Sequence, residues 1–124
     1  MNPKANPHLY CYHTHTHFCD GTEHPAAYVT AAIRLRVHSV GLSGHAPVPF
    51  NNHFAIPSEK LDEYCQTIRS LQSQYKNHIR ILLALEVDYI PGFMPGHHDL
   101  KTRYPLDYTI GSVHLVAEPE TGAL

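Results

Sequence analysis

His13-Thr14-His15-Thr16-His17, followed directly by Phe18-Cys19-Asp20-Gly21, decides how this chain is read. The side-chain period of a strand is two, so an extended backbone through this stretch puts all three imidazoles on one face. Neutral imidazole is the commonest protein ligand for metals. Two rings one residue apart can grip one cation from the end of a strand, and an acidic residue a few positions on can bind the same ion or a neighbour. The plain alternative is a solvated polar strand or a tag-like tract. The threonine interruptions, and the flanking Tyr10, Tyr12 and Phe18 with their strand and core character, argue against a tag.

Around this stretch the chain alternates between two periodicities. Residues 8–15 read as a first strand. Pro25 suits the first turn of a helix, and Tyr28, Ala32 and Leu35 repeat at helical spacing to about residue 37. Ser39-Val40-Gly41-Leu42-Ser43 reads as a short strand closed by the loop Gly44-His45-Ala46-Pro47. Residues 46–57, with Pro47, Pro49, Pro57 and Asn51-Asn52, form a loop long enough to be functional. Ser58 is the expected N-cap of the clearest helix, whose apolar stripe runs Leu61, Tyr64, Cys65, Ile68, Leu71 and Tyr75. Cys65 lies on that stripe as a small core residue. Ile79 to Leu85 has the continuous apolar character of a strand buried on both faces, and Glu86-Val87-Asp88-Tyr89 ends it. Pro91-Gly92 and Pro95-Gly96 mark a loop, a short helix is expected near residues 97–103, and Tyr108 to Val113 forms a fourth strand ending at His114. Strands alternating with helices predict a parallel sheet with crossover connections. No internal repeat and no linker divides the chain.

Composition narrows the partners. The 124 residues suffice for one domain with a core of moderate size. Twelve histidines are spread along the chain, so a single low-complexity tract does not explain them. A formal net charge of -2 supplies no basic field for a phosphate backbone, which argues against nucleic acid as a partner. Cys11, Cys19 and Cys65 form no paired CxxC spacing, which argues for a reducing, cytoplasmic setting over a disulfide framework. The segment Met1 to Pro7 has no apolar core of a signal peptide, and no apolar run is long enough to cross a bilayer.

The polar outliers of the strands share one kind of place. His13 and His15 end the first strand, His45 the second, Glu86 the third and His114 the fourth. In parallel α/β architectures the carboxyl ends of the strands converge on one face, where sites are built. A single buried histidine is ordinarily satisfied by a backbone carbonyl. Four strand ends in register are hard to attribute to packing, because several imidazoles and a carboxylate are costly to bury without a cation. Histidines with carboxylates and no thiolate cluster suit zinc, manganese or iron. A carboxylate such as Glu86 can bridge two ions, and paired ions suit phosphoester hydrolysis. Cys19 has no dedicated base that would make it a nucleophile.

The segments Tyr12-His13-Thr14-His15-Thr16, Phe18-Cys19-Asp20-Gly21, Gly41-Leu42-Ser43-Gly44-His45-Ala46-Pro47, Leu85-Glu86-Val87-Asp88-Tyr89-Ile90-Pro91-Gly92 and Asp107-Tyr108-Thr109-Ile110-Gly111-Ser112-Val113-His114 closely resemble the polymerase-and-histidinol-phosphatase (PHP) superfamily, and within it the monofunctional histidinol-phosphatase branch. The resemblance implies an α/β fold, a distorted (β/α)7 TIM-like barrel with two or three divalent metal ions at the carboxyl ends of its strands. It implies a metal-dependent phosphomonoester hydrolase that converts L-histidinol phosphate to L-histidinol and phosphate in histidine biosynthesis. On that pattern His13, His15, Glu86 and His114 match metal ligands, and His45 matches a further one. Asp20 lies near another ligand position of the family; as a residue preceding Gly21 it also reads as a turn former. Residues 52–57 resemble a substrate-covering segment in which Phe54 packs on the substrate imidazole, or else a loop with one hydrophobic anchor. His17, His97 and His98 read as surface residues.

A β/α barrel needs about 200 residues or more, so the expected architecture is the front half of the barrel, a single PHP domain over residues 1–124 truncated on its C-terminal side. The stretch Glu118 to Leu124 has no helix or strand character. The fourth strand is then expected to present an unpaired edge, through which the chain could associate with another copy. Two other readings stay open: a phosphoesterase with another substrate, and a non-catalytic metal-binding fragment.

Overall fold

The computed structural model describes residues 4–92 and 97–116, apart from the side chains of His97 and His98. Pro95-Gly96 and the stretch from Glu118 to Leu124 lie outside the described residues, as do the two ring positions of His97 and His98. The elements run β1 (Asn6–Cys11), α1 (Pro25–Arg34), β2 (Val37–His45), α2 (Leu61–Gln74), β3 (Arg80–Asp88), α3 (His97–Arg103) and β4 (Tyr108–Ser112), with one 3-10 turn at Ser58–Lys60. All neighbouring strands are parallel, in the spatial order β1-β2-β3-β4. Each connection is a crossover, and β1 and β4 lie at the two edges of the sheet. Four parallel strands with their helices form part of an α/β barrel.

Alternation along β2 and β3 separates two faces. Val40 and Leu42 on β2, with Ile81, Leu83, Leu85 and Val87 on β3, join Val29 and Ala32 of α1 and Leu61, Tyr64, Cys65, Ile68 and Leu71 of α2 in the hydrophobic core. The opposite set, Ser39, Gly41, Ser43 and His45, pairs in register with Arg80, Leu82, Ala84 and Glu86. Apart from Leu82, this second face is built from small and polar side chains, and it ends at the histidine and the glutamate.

Side-chain-to-backbone hydrogen bonds hold the layers. The Tyr64 hydroxyl is fully buried; it accepts from the Gly44 N–H at 2.9 Å and lies 2.9 Å from the Leu42 carbonyl and 2.8 Å from the Ala84 carbonyl. Burial pushes its pKa well up, so it stays protonated. Asp107, just before β4, accepts from the Leu83 N–H at 2.7 Å and lies 3.6 Å from Arg69 of α2. On the second face the Tyr108 phenol lies against Gly41, where a Cβ would overlap it, and donates to the Tyr12 carbonyl at 2.5 Å.

The element boundaries differ from the sequence reading in instructive ways. β1 stops at Cys11, so the histidine stretch follows the strand and does not lie within it. It stays beside the sheet because the Ser43 N–H donates to the Thr14 carbonyl at 2.8 Å. α1 ends at Arg34, where Arg36 takes the left-handed conformation that closes the helix (φ 62°). β2 extends through His45, which therefore lies inside the strand and not in a loop. Ser58 makes no side-chain cap; it opens the 3-10 turn three residues before α2 begins.

Candidate metal centre

His13 and His15 leave β1 on an extended segment and share one side, as their spacing demands; their ring centroids are 5.1 Å apart. The period breaks after His15. The buried Thr16 carbonyl accepts from the N–H groups of Cys19 (3.0 Å) and Gly21 (2.9 Å), folding residues 17–20 into a turn. His17 is exposed and packs on Phe18 and His24, away from the other two rings. The turn returns Asp20 to the centre. Gly21 is required there because a Cβ would sit 2.6 Å from the His15 carbonyl carbon and oxygen.

Asp20 and Glu86 clamp the same two imidazoles. Asp20 Oδ1 is 3.1 Å from His15 Nδ1, and its Oδ2 is 3.2 Å from His45 Nε2. Glu86 Oε1 is in contact with His13 Nε2 and lies 3.8 Å from His15 Nε2, while Oε2 is 3.0 Å from His45 Nδ1. The His15 and His45 rings are 4.4 Å apart between centroids. Glu86 is placed by β3, where it pairs in register with His45 on one side and Ile110 on the other.

His114 follows β4 and faces His45 edge-on at 5.7 Å. The loop after β2 folds back on the strand end, where Ile56 N–H donates to the His45 carbonyl, and is shaped within by Asn52 Oδ1, which accepts from Phe54 and Ala55 N–H. This sets Phe54 5.4 Å from the His45 ring. A cavity of about 360 Å³ is lined by Asp20, His45, Phe54, His114 and Leu115.

Charge and burial act together. Burial and then the neighbouring His45 ring hold the His15 pKa below that of a free imidazole, against the opposing pull of Asp20 and Glu86. A neutral ring keeps a lone pair available. Burial acts to raise the Asp20 carboxyl, but His45 and His15 outweigh it and hold the group below the usual carboxylate range.

The donor set fits divalent cations. His45 Nδ1 and Glu86 Oε2 are buried and close together, yet neither makes a hydrogen bond among the described residues. Two orphaned polar atoms of this kind are expensive in a packed interior. A cation between them would satisfy both. Three neighbouring sets of side chains bring their ligand atoms within 4.8 Å of one another: His13, His15 and Glu86; His15, Cys19 and Asp20; and His45, Glu86 and His114. All six residues expected as ligands from the sequence thus meet in one region.

Two further side chains join the centre: Cys19, considered from sequence only as a nucleophile, and Asp88, which the sequence reading did not single out. Cys19 Sγ lies 3.5 Å from His15 Nδ1. Asp88 contacts His114 Nδ1 at 2.6 Å, from a side chain that is only 2% exposed. The signal for Asp88 was its parity: it stands two residues after Glu86 on the same strand, hence on the same face.

The fold and these strand ends define an α/β-barrel protein with a histidine–carboxylate centre on its carboxyl rim. The chain belongs to the PHP domain family, whose model matches residues 12–122. It is 32% identical over 111 residues to the histidinol-phosphatase of Lactococcus lactis subsp. lactis, covering 88% of this chain and 40% of that protein. It is 29% identical over 115 residues to the histidinol-phosphatase of Bacillus subtilis, covering 84% and 43%. A solved Lactococcus lactis histidinol phosphate phosphatase, complexed with zinc, L-histidinol and phosphate, superposes with a TM-score of 0.72 at 30% identity over 87% of this chain and 41% of that one. A Listeria monocytogenes chain solved as a candidate histidinol phosphatase gives a TM-score of 0.77 at 24% identity, over 92% and 47%, and shares the fold. The chain spans about two fifths of the length of the curated relatives it matches. Among the described residues no helix is long and apolar enough to cross a membrane.

Proposed function

We propose that this chain carries the metal-binding part of a phosphomonoester hydrolase acting on L-histidinol phosphate. The observation that carries this reading is the buried, unpartnered pair His45 Nδ1 and Glu86 Oε2, set among His13, His15, Asp20 and His114. In this reading those six residues hold two or three divalent ions, of zinc, manganese or iron. Bound ions would supply Lewis acidity to the phosphoryl oxygens and lower the pKa of a water.

The protein's own groups do the rest. His15, kept neutral by burial, is ready to ligate without first losing a proton. Asp20 and Glu86 fix the orientation of two rings at once and balance cationic charge. Phe54 offers the substrate imidazole an aromatic edge beside His45, in the cavity of about 360 Å³. The Lactococcus lactis relative solved with zinc, L-histidinol and phosphate supports this substrate.

Purified chain incubated with zinc or manganese and L-histidinol phosphate is expected to release phosphate, with activity abolished by chelator and by His15→Ala. Retained activity in His15→Ala overturns the proposed site. A second reading follows from the two-fifths coverage of the relatives: a module that binds metal without turnover. Measurable metal content with no phosphate release selects it, and turnover of other phosphoesters over L-histidinol phosphate selects a different substrate.

A further inference from the structure

We propose that Asp88 is the positioning residue for His114, fixing the ring so that Nε2 is the nitrogen offered to a metal ion. The proposal rests on the metal-centre reading above. β4 ends at Ser112, and its last backbone link to β3 is the Tyr89 N–H donating to the Ser112 carbonyl. His114 stands two residues beyond, outside any strand, with its side chain 53% exposed. A ring there would exchange among rotamers and both tautomers, and ordering it on binding a metal would cost conformational entropy.

Asp88 removes that freedom in advance. Its side chain is 2% exposed at the carboxyl end of β3, and its Oδ1 lies 2.6 Å from His114 Nδ1 and accepts from the Ser112 hydroxyl. Asp88 and Ser112 are also register partners, so the carboxylate is held from both strands. With the Asp88 carboxylate as acceptor, the proton of this 2.6 Å contact sits on His114 Nδ1, which leaves the lone pair on Nε2. A carboxylate behind an imidazole fixes its tautomer and raises its basicity as a ligand, and losing such a partner costs roughly 10–100-fold in metal affinity. His45 and Glu86 each offer a ligand atom within 4.8 Å of one from His114.

A role confined to tying β4 to β3 through Ser112 would leave the metal untouched, which separates the alternatives. Cobalt(II) binding is titrated in the purified chain and in Asp88→Asn, Asp88→Ala, His114→Ala, Ser112→Ala and the Asp88→Asn/His114→Ala double variant. Asp88→Asn and His114→Ala are each expected to weaken binding by roughly 10–100-fold, the double variant to bind like His114→Ala, and Ser112→Ala to bind like the parent. Parent-like binding by Asp88→Asn beside weakened His114→Ala, or simple addition of the two losses, overturns the proposal. If parent and His114→Ala bind alike, the metal-centre reading fails at His114. The ring nitrogens then still decide the geometry: 15N NMR of the metal-free chain, at a pH where the ring is neutral, should show the proton of His114 on Nδ1 in the parent and a shift toward Nε2 in Asp88→Ala. A proton on Nε2 in the parent overturns the proposal whatever the metal does.

Discussion

His45 Nδ1 and Glu86 Oε2 face each other at 3.0 Å across two paired strands, both buried and neither hydrogen-bonded. The distance is that of an ion pair, but the atoms are not aligned as donor and acceptor. Adjacent parallel strands place them there through register alone. The fold therefore presents a carboxylate oxygen and an imidazole nitrogen side by side, with no hydrogen-bond partner for either among the described residues.

Glu86→Gln should separate folding from binding. Glutamine keeps the shape of Glu86 and one acceptor oxygen for the His13 contact, while Oε2 makes no hydrogen bond among the described residues, so the metal-free chain is expected to stay close to the parent in stability. The parent should gain about 2.7 kcal/mol with zinc at a hundred times its Kd, and the variant little of this. Thermal melts with zinc and with chelator measure both effects. A variant stabilised by zinc as much as the parent would remove Glu86 from the centre.

Gly21→Ala should damage the centre without touching a polar atom. The added methyl would meet the His15 backbone at 2.6 Å, and overpacking of this kind costs about 1–3 kcal/mol. Denaturant unfolding should show the loss, and zinc affinity should fall with it because Asp20 is carried by the same turn. Unchanged stability and affinity would contradict the tight-turn account.

Tyr64→Phe tests the buried hydroxyl under β2 and β3. The Gly44 N–H loses its acceptor, and the carbonyls of Leu42 and Ala84 lose a neighbouring hydroxyl. The expected cost is about 1–3 kcal/mol, read as a lower denaturant midpoint with unchanged slope. A neutral substitution would mean that the hydroxyl contributes nothing net.

Acid should destabilise the chain. His15 titrates below the usual 6.5 when folded, so over that interval the unfolded chain binds more protons and stability rises with pH. The folded chain carries no penalty from this group above 6.5 and accumulates one as pH falls toward the folded value. Asp20 has the same sign further down: its contribution is whole above the usual 3.8 and is lost as pH falls through its depressed folded value. Tm measured without metal should begin to drop just below 6.5, and less steeply in His15→Gln. A Tm that rises on acidification there would refute the sign.

Much of this arrangement is legible in the sequence, and for definite reasons. The stripe on α2 and the apolar run of β3 reported the core because packing demands their periodicity. Parallel strands then forced His45, Glu86 and His114 to one rim. His17 reads as a surface residue and is exposed, but a strand period alone does not say where the strand yields to a turn. That depends on Thr16, whose carbonyl collects two N–H groups. At Asp20 two readings coincide: it belongs to the turn and its carboxylate meets two rings. Asp88 looked like a polar residue closing a strand. Its partner lies 26 residues on, a contact that only the register of β3 with β4 creates.

The Tyr108 phenol carries one more consequence. It leaves β4, crosses Gly41 of β2 and grips the carbonyl of Tyr12, the residue immediately before His13. β4 is thereby moored to the backbone that aims the first imidazole. A sideways slip of β4 would break this bond at the residue before His13, so a change at residue 108 can bear on the first imidazole without touching it.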